Sequence, residues 1–493
     1  MIQSLGHSSP AFKSRATSVP RGNEAAPPAD GFTPGNQPAF EEGQLLVRLR
    51  EGSNLTGETV AEKYGVSIAE DLTPGGLLRS QEPKLLLVEL KPGQDTLEMK
   101  AALAADPRVA YAELNTNYYL DDQGQQPPGQ QPPGQQPPPQ PQPPAQKIPN
   151  DLKSGLWGLH NTGQNNGKAD ADIDAPEAWN IHTGSRNGPV IAVIDTGIDY
   201  NHPDLKANMW TNPGEIAGNG IDDDGNGVVD DVHGFNAFAN NGNPMDGHSH
   251  GTHCAGTIAA VGNNDEGVVG VNHEAQLMAV KIFSDGGSTN AAAIIRGINY
   301  ATRMGARITS NSWGGGAANQ AIYDAFNTSP ALHIMAAGNS SGNNDVNPHY
   351  PSNYELANNV AVAASDRNDN RASFSCYGAT TVDIAAPGRD ILSTVPGGGY
   401  ASKSGTSMAT PHVAGVAGLV ASLYPEASNE DIQYRLYEGA DKLSNWQGVV
   451  VDGRRLNAYG ALTTAPPAPP APPQPQPPAE QPPAGQQPPV GQG

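Results

Sequence analysis

The chain has 493 residues, with 28 lysines and arginines against 50 aspartates and glutamates, so its formal net charge is −22 at pH 7. This length exceeds one average domain and predicts two folded domains joined by linkers. The strong acidity argues against nucleic acid or an anionic membrane as a partner and suits a soluble protein that holds cations. No run of about 18 apolar residues occurs, so the sequence offers no transmembrane helix.

Residues 1–40 are rich in serine, proline, glycine and alanine without periodicity, and we predict that they are disordered. They also lack the apolar core of a signal peptide. Export would therefore need an unrecognised signal or a start further upstream, and an intracellular location is the alternative.

Residues 41–120 are predicted to form a small α+β domain. We expect strands at 45–49, 84–90 and 109–114, and an amphipathic helix at 96–105 with Thr96 as its N-cap. The order strand–helix–strand–helix–strand is compatible with a ferredoxin-like module. An unrelated small α+β domain is the alternative.

Two low-complexity tracts flank the central part of the chain. Gly-Gln-Gln-Pro-Pro occurs three times within residues 121–147 and once more near the C-terminus. Such tracts cannot bury enough apolar surface to fold. We therefore predict a linker at 121–147 and a disordered tail at 464–493.

Residues 148–463 alternate apolar strands with helices, which predicts an α/β domain with a doubly wound, mostly parallel sheet. The apolar run from Val190 to Ile194 ends in Asp195 and is typical of a buried parallel strand, at whose carboxyl end such sheets bind their ligands. A helix is expected at 291–303, with Asn290 as its cap. Further strands are expected at 277–280, 308–310, 334–336 and 360–363.

An acidic loop follows that first strand. Its oxygen ligands have the spacing of an EF-hand loop: Asp222, Asp224, Asn226, the carbonyl of Val228, and Asp230. Gly227 stands at the turn, but His233 occupies the position of the bidentate glutamate, and flanking EF helices are not evident. We interpret the loop as a calcium site by analogy, and a solvated acidic turn is the alternative.

Three motifs carry catalytic chemistry. Asp195 ends a strand, His250 opens a helix of small residues, and Ser407 lies just before another such helix, in the positive field of its N-terminus. Serine is a poor nucleophile unless a base takes its proton, and an acid must orient that base. The order Asp…His…Ser is one of the three known triad orders. Alone, the serine segment would also fit a buried helix with a capping serine.

At these motifs the chain resembles the subtilase family of serine peptidases, over roughly residues 150–463. The resemblance implies a subtilisin-like catalytic domain that cleaves peptides or proteins through an acyl-enzyme on Ser407. Asp-Thr-Gly also marks aspartic proteases, but these need a second carboxylate motif, which is absent from the sequence.

The same resemblance assigns further residues. Asn339 would donate to the oxyanion together with the backbone N–H of Ser407, although an asparagine after glycine is commonly a turn residue. A substrate-binding strand edge and first specificity pocket are implied at Ser312, Trp313, Gly314, Ala337 and Gly338, with His349–Pro351 as the pocket floor. A second calcium site is implied at Asp204, Val261 and Asn264, so Ca²⁺ is the expected cofactor.

By resemblance, residues 41–120 are a pro-domain that inhibits the enzyme until it is removed. The segment 118–120 should lie in the active-site cleft like a product, and cleavage should fall in or just before residues 121–147. Subtilases with a pro-segment are usually exported, which favours a secreted enzyme, expected to be a monomer.

The remaining histidines and cysteines are interpreted as structural. His253 and His412 each lie about one helical turn inside their motifs. A zinc site at His248, His250 and His253 lacks the usual ligand pattern. Cys254 and Cys376 permit one disulfide at most, and we expect two free thiols.

Three rival interpretations stay open. A catalytically dead subtilase used for binding would have a broken triad, and this triad is intact. An acidic calcium-binding structural protein would need repeats of the acidic loop, and the sequence has one. An intracellular subtilase fits the missing signal but not the long pro-region.

Overall fold

The computed structural model describes residues 39–53, 55–73, 83–120 and 148–467. The segments expected to be disordered, namely most of 1–40, the linker 121–147 and nearly all of the tail, lie outside the described residues. The described residues form an N-terminal unit and a larger central domain.

The N-terminal unit is a sheet of four antiparallel strands with two helices. Its elements are β1 (Phe40–Leu49), α1 (Gly57–Tyr64), β2 (Ser67–Asp71), β3 (Leu85–Glu89), α2 (Thr96–Ala104) and β4 (Val109–Tyr119). The strand order β2-β3-β1-β4 is that of the predicted ferredoxin-like module, which is confirmed. Strand β2 was not predicted, because only two of its five residues are apolar.

The predicted cap of α2 was wrong by one residue. The carboxylate of Asp95 accepts the backbone N–H of Glu98 at 2.9 Å, so Asp95 is the N-cap. The hydroxyl of Thr96 instead accepts the N–H of Gly43 at 2.9 Å, which ties the helix to β1. A carboxylate one position earlier reaches the third N–H of the helix, and the threonine is left to make a tertiary contact.

The central domain is built on a nine-stranded sheet with the order β15-β16-β12-β11-β10-β9-β5-β7-β6, parallel except at β15–β16. The strands of the domain are β5 (Val190–Asp195), β6 (Gly234–Asn236), β7 (Gln276–Lys281), β8 (Ser288–Asn290), β9 (Ile308–Asn311), β10 (Leu332–Ala336), β11 (Asn359–Ser365), β12 (Ile384–Pro387), β13 (Ile391–Val395), β14 (Gly399–Lys403), β15 (Asp441–Lys442) and β16 (Arg454–Arg455). Three of them lie outside the nine-stranded sheet: β13 and β14 form a separate hairpin, and β8 pairs with the sheet of the N-terminal unit. Its helices are α3 (Ala175–Trp179), α4 (His250–Ala259), α5 (Ala291–Arg303), α6 (Gln320–Thr328), α7 (Thr406–Leu423), α8 (Asn429–Glu438) and α9 (Ala458–Thr463). The predicted doubly wound, mostly parallel sheet is confirmed.

Strand β5 shows why both faces of the sheet are apolar. Ile191 and Val193 pack into the core on the side of α4 and α7, whereas Ala192 and Ile194 pack into the core on the side of α5 and α6. Successive side chains of a strand point to opposite faces, so a strand covered on both sides must be apolar throughout. The polar Asp195 is the last residue of β5 and is fully buried as well.

Helix α7 packs closely against β5 and against the segment that precedes β7. A Cβ on Gly415 would lie 2.6 Å from Val271, and one on Gly418 would lie 2.6 Å from Ile191. Larger residues would push the helix outward, and the first turn of α7 would move with it. The small residues noted in the sequence therefore fix the depth at which Ser407 sits.

Two further expectations can be compared with the structure. Both cysteines, Cys254 and Cys376, are free and buried, as expected. Among the described helices, none is both long enough and apolar enough to cross a membrane.

Candidate active site

The carboxyl end of β5 and the first turn of α4 bring an acid and an imidazole together. The Nδ1 atom of His250 lies 2.8 Å from Oδ1 of Asp195, and both side chains are buried. A proton on the nitrogen that faces the carboxylate leaves Nε2 as the basic atom of the ring. The fold thus joins two residues that are 55 positions apart in the sequence.

Asp246, which the sequence analysis missed, holds the turn that leads into α4. Its Oδ1 accepts the N–H of Ser249 at 3.0 Å, and its Oδ2 accepts the N–H and hydroxyl of Thr252. The hydroxyl of Thr196, directly after Asp195, also donates to Asp246 at 2.9 Å. These bonds tie the end of β5 to the start of α4 and so set the geometry of the acid and the imidazole.

Ser407 is the second residue of α7, not the residue before the helix as predicted. The helix begins at Thr406, directly after the extended backbone of Gly405. The Ser407 hydroxyl donates to the carbonyl of Ser312 at 2.8 Å. The Ser407 carbonyl accepts the hydroxyl of Ser312 at 3.0 Å and the thiol of Cys254 at 3.4 Å. Burial raises the pKa of that thiol, so Cys254 is a protonated packing residue.

The amide of Asn339 is held in one orientation. Its Oδ1 accepts the N–H of Thr406 at 2.8 Å and the hydroxyl of the same residue at 3.0 Å. Its Nδ2 lies 3.5 Å from the position that a Cβ would take on Gly405, and the backbone N of Ser407 lies 3.6 Å from that same point. Two nitrogen atoms that carry N–H groups therefore lie near one point at the start of α7, an arrangement compatible with an oxyanion hole.

Trp313 anchors the predicted substrate-binding edge. Its buried indole N–H donates to the carbonyl of Ile194 at 2.9 Å, one residue before Asp195. The predicted edge therefore lies beside the carboxyl end of β5 in space.

The other wall of the predicted pocket continues β10. Ala337 donates its N–H to the carbonyl of Val362 at 3.0 Å. Gly338 and Gly314 both face the ring of His349: a Cβ on Gly314 would lie 2.1 Å from Cε1, and one on Gly338 would lie 2.7 Å from Cδ2. The predicted floor residue therefore stands between the two walls.

The N-terminal unit extends a strand into the cleft. The last three residues of β4 pair antiparallel with β8, and the N–H of Leu120 donates to the carbonyl of Gly287 at 3.0 Å. Tyr118 is buried and lies against Gly316, whose Cβ position is 3.1 Å from the ring. The segment expected to enter the cleft therefore pairs with a strand of the central domain, β8, that the sequence analysis missed.

The predicted calcium loop gathers carboxylates, including one that was missed. Ligand atoms of Glu215, Asp222 and Asp224 all lie within 4.8 Å of one another. Asn226 donates to Asp224 at 3.0 Å. Asp230 accepts three backbone N–H groups of the preceding turn, at 2.7, 3.2 and 2.9 Å. Asp230 therefore braces the turn, while Glu215 completes the acidic cluster.

The rest of the loop is tied to helix α5. The side-chain oxygen of Asn226 accepts the N–H of Val228 at 2.8 Å. Asp231 is fully buried and accepts the hydroxyl of Tyr300, and the guanidinium of Arg303 donates to the carbonyl of Asn226. These contacts hold the loop against helix α5.

The second predicted calcium site also gains a residue. Asp204 is buried and accepts Nδ2 of Asn264 at 2.8 Å, and the N–H of Val261 donates to the Asp204 carbonyl at 2.9 Å. Asp151 accepts the N–H of Asn264 at 3.1 Å, while its buried Oδ1 has no hydrogen-bond donor among the described residues. Burial raises the pKa of Asp151. An orphaned carboxylate oxygen beside Asp204 fits a hard cation such as Ca²⁺.

The two histidines interpreted as structural make buried backbone contacts. Nε2 of His253 lies 2.9 Å from the carbonyl of Ile391 and 3.1 Å from that of Ala401, and Nδ1 of His412 lies 2.9 Å from the carbonyl of Met408. Burial lowers the pKa values of His253 and His412 to about 3 and about 4. Both rings are therefore neutral; the contacts of His253 join α4 to the β13–β14 hairpin, whereas that of His412 lies within α7.

Comparison with known proteins gives a consistent result. The subtilase family model matches residues 186–461, and a model described as the fervidolysin N-terminal prodomain matches residues 26–115. Thermitase of Thermoactinomyces vulgaris is 43% identical over 293 residues, which cover 59% of this chain and 93% of that protein. Subtilisin Savinase of Lederbergia lenta is 41% identical over 278 residues, covering 55% and 90%.

A solved structure described as one of the proteases from Pseudoalteromonas arctica superposes with a TM-score of 0.52 at 27% identity, covering 64% of this chain and 98% of that one. The family model, the relatives and the solved structure all match the central domain, and the prodomain model matches the N-terminal unit. The chain therefore belongs to the subtilase family and is a subtilisin-like serine endopeptidase with an N-terminal prodomain.

Proposed function

We propose that Asp195, His250 and Ser407 form the catalytic triad and that hydrolysis passes through an acyl-enzyme on Ser407. The observation that carries this assignment is the buried 2.8 Å contact between His250 and Asp195, together with the Asn339 amide nitrogen and the Ser407 backbone nitrogen lying 3.5 and 3.6 Å from the Cβ position of Gly405. That arrangement stabilises the negative oxygen formed when serine attacks a peptide carbonyl.

The proposed reaction starts when the Ser407 hydroxyl leaves the Ser312 carbonyl and gives its proton to Nε2 of His250. The oxygen attacks the peptide carbonyl, and the oxyanion is bound by Asn339 and the Ser407 N–H. The imidazolium, stabilised by Asp195, then protonates the leaving amine, and water hydrolyses the ester with the same imidazole as base.

A fluorophosphonate probe tests the assignment directly, because it phosphonylates a serine only where a base and an oxyanion hole activate it. We expect one adduct on processed protein, and peptide mapping should place it at Ser407. Heat-unfolded protein is the control and should take up no label. An adduct on another residue, or none on folded active protein, would contradict the triad.

We further propose that residues 41–120 act as an intramolecular inhibitor. Glu113 accepts the N–H groups of Gln320 and Ala321, at 3.0 and 3.2 Å, at the start of α6. Asn115 accepts the N–H of Ala292 at 2.9 Å, at the start of α5. The first N–H groups of a helix have no partner within it, so the prodomain supplies acceptors that its release would remove.

The variant Glu113→Ala should weaken the complex between the cleaved prodomain and the enzyme. The variant loses two hydrogen bonds to a carboxylate, which weakens binding. It also removes the cost of burying that carboxylate, a cost that shows in the raised pKa of Glu113. The two effects partly offset each other, so we expect a Kd about tenfold weaker. Dilution of processed complex, followed by the recovery of peptidase activity, measures the change. Glu62→Ala, at an exposed acid of α1, is the matched control. If both variants dissociate equally, Glu113 does not contribute to binding between the prodomain and the enzyme.

Calcium is the cofactor that we propose for the two acidic sites. Glu215, Asp222 and Asp224 would hold it in the loop, and Asp151, Asp204 and Asn264 in the second site. A bound cation would offset the mutual repulsion of these carboxylates. The support is the grouping of three carboxylates in one site and the orphaned Oδ1 of Asp151 in the other.

Removal of calcium should lower the melting temperature of the central domain. A ligand that binds only the folded state adds about 2.7 kcal/mol at a hundredfold excess over its Kd, which corresponds to about 4 °C for a domain of this size, at about 2.1 cal/mol/K of unfolding entropy per residue. Calorimetry with a chelator, against the same chelator saturated with calcium, measures the shift on Ser407→Ala protein, which cannot digest itself. Asp151→Asn and Asp222→Asn should each abolish part of it. An unchanged midpoint with no metal in the purified protein would refute the proposal.

For the whole chain we propose a secreted monomer made as a precursor. In this proposal residues 41–120 are removed, residues 121–147 are the tether, and residues 148–463 are the mature enzyme. The support is the prodomain match upstream of the catalytic domain.

A further inference from the structure

Lys403 joins the segment that carries the proposed base to the segment that carries the proposed nucleophile. It is the last residue of β14, four positions before Ser407, and its side chain is half-buried. Its Nζ donates to the hydroxyl of Ser249 at 3.0 Å, and Ser249 directly precedes His250. The contact spans 154 positions of the sequence, so it forms only when the β13–β14 hairpin packs beside α4.

The conformation of Ser249 needs such support. Its φ is +94°, a left-handed conformation in which a residue other than glycine is strained. The N–H of Ser249 donates to Asp246 at 3.0 Å, and its carbonyl accepts the N–H of His253 at 3.2 Å. The ammonium of Lys403 holds the side chain of the same residue. Backbone and side chain are thus both fixed where α4 begins, and this fixes the position of the His250 ring.

The positive charge of Lys403 also acts on the surroundings of that ring. Burial is the main cause of the lowered pKa values of His248 and His253, and this charge lowers both further. It also opposes the burial that raises the pKa of the Cys254 thiol. A ring nitrogen of His250 lies within 4.8 Å of the Cys254 sulfur. A charge that acts on these three neighbours therefore acts on His250 as well.

Other charged or titratable groups surround the imidazole. On the elements packed around it they are Asp195 of β5, Asp246 and His248 of the turn that leads into α4, His253 of α4, Lys281 of β7, Asp285 beside that turn, Lys403 of β14 and His412 of α7. The first two carboxylates favour a proton on His250, and the other three histidines are neutral near pH 7 because their pKa values are lowered. Lys281 donates to Asp285 at 2.7 Å, so these two charges offset each other. Lys403 therefore opposes the protonation that the carboxylates favour.

We propose that Lys403 is a positioning residue of this peptidase: its ammonium holds the turn before His250, and its charge makes protonation of that imidazole less favourable. The inference rests on the proposed function of the triad and concerns the pH range in which the triad works. The base must be unprotonated to accept the proton of Ser407, so activity falls as the solution becomes acidic. A nearby cation moves this fall to a lower pH.

The dependence of kcat/KM on pH tests the proposal, because its acid limb reports the ionisation of the base in the free enzyme. On processed enzyme, in low salt and with an uncharged peptide, Lys403→Met should move the midpoint of that limb up by about 0.5 pH unit. This is the size expected for a unit charge several ångströms from a partly solvated group. Below the midpoint, the shift alone should lower activity about threefold. Lys403→Arg keeps the charge and should restore the wild-type midpoint.

Two controls separate this local charge from the net charge of the molecule. Lys442→Met removes the same charge from β15, at the edge of the nine-stranded sheet that lies away from β5, and should leave the midpoint unchanged. High salt should reduce the difference between Lys403→Met and wild type, since the charge of a half-buried lysine is screened.

Ser249→Ala separates the hydrogen bond from the charge. It removes the hydroxyl that accepts Nζ of Lys403 and leaves the ammonium in place. The midpoint should therefore stay, whereas the plateau of kcat/KM at higher pH should fall about two- to fivefold as the turn before His250 loosens. Lys403→Met should lower the plateau to the same extent. The double variant should lower it no further, because both changes remove one contact.

An unchanged midpoint in active Lys403→Met would overturn the proposal, as would a midpoint that Lys403→Arg does not restore. Lys403→Gln is a second neutral variant, and failure of both neutral variants to fold would show that Lys403 is structural. Fluorophosphonate labelling of Ser407 in variants with the wild-type midpoint would retain the proposed function and remove this role of Lys403. Absence of label and of cleavage in the wild-type enzyme would instead remove the proposed function.

Discussion

Replacing Ser407 with alanine should abolish peptidase activity and leave the fold intact. Loss of a triad serine in another subtilase lowers turnover by about 10⁶-fold, and the oxyanion donors and substrate binding retain a residual rate above that of water. The hydroxyl makes one hydrogen bond, to the Ser312 carbonyl, so the expected loss of folding free energy is only about 1 kcal/mol. Because processing depends on the same serine, the variant should accumulate as uncut precursor.

Initial rates on casein and on a short peptide, together with the mass of the purified chain, measure both effects. Ser402→Ala changes an exposed serine of β14 and should process and cleave like wild type. Near wild-type cleavage by Ser407→Ala, after inhibition of any contaminating protease, would mean that the nucleophile lies elsewhere.

Replacing Asn339 with aspartate should lower kcat by about 10²–10³-fold, a magnitude known for the loss of one oxyanion donor in another subtilase. The substitution preserves the oxygen that accepts the N–H and hydroxyl of Thr406, so the loop should keep its shape. It replaces the amide donor with an acceptor that repels the oxyanion. The lost interaction exists only in the transition state, and KM should therefore change little.

Steady-state kinetics on one peptide separate kcat from KM. Asn347→Asp is the matched control, because it adds the same charge at an exposed position of the loop that follows Asn339. A rise in KM at constant kcat would show that Asn339 contributes to binding of the substrate and not to stabilisation of the oxyanion.

The parts of this protein that the sequence predicted well depend on neighbouring residues. The apolar run of β5, the limits of α5 and its cap at Asn290 follow from periodicity and local capping chemistry, and the structure has them at the predicted positions. The motifs around Asp195, His250 and Ser407 are also short and continuous. Their chemistry could therefore be inferred, although their contacts could not.

Tertiary structure decided everything that depends on residues far apart in the chain. Asp151 lies 113 positions before Asn264 and carries no local signal, yet folding places it at the second proposed calcium site. The pairing of β4 with β8, and the position of His349 between Gly314 and Gly338, likewise arise only when separate segments pack. A side chain has the same local pattern whether or not a distant partner exists, so the sequence by itself determined the family and the residues proposed to react, and packing decided how these residues are oriented.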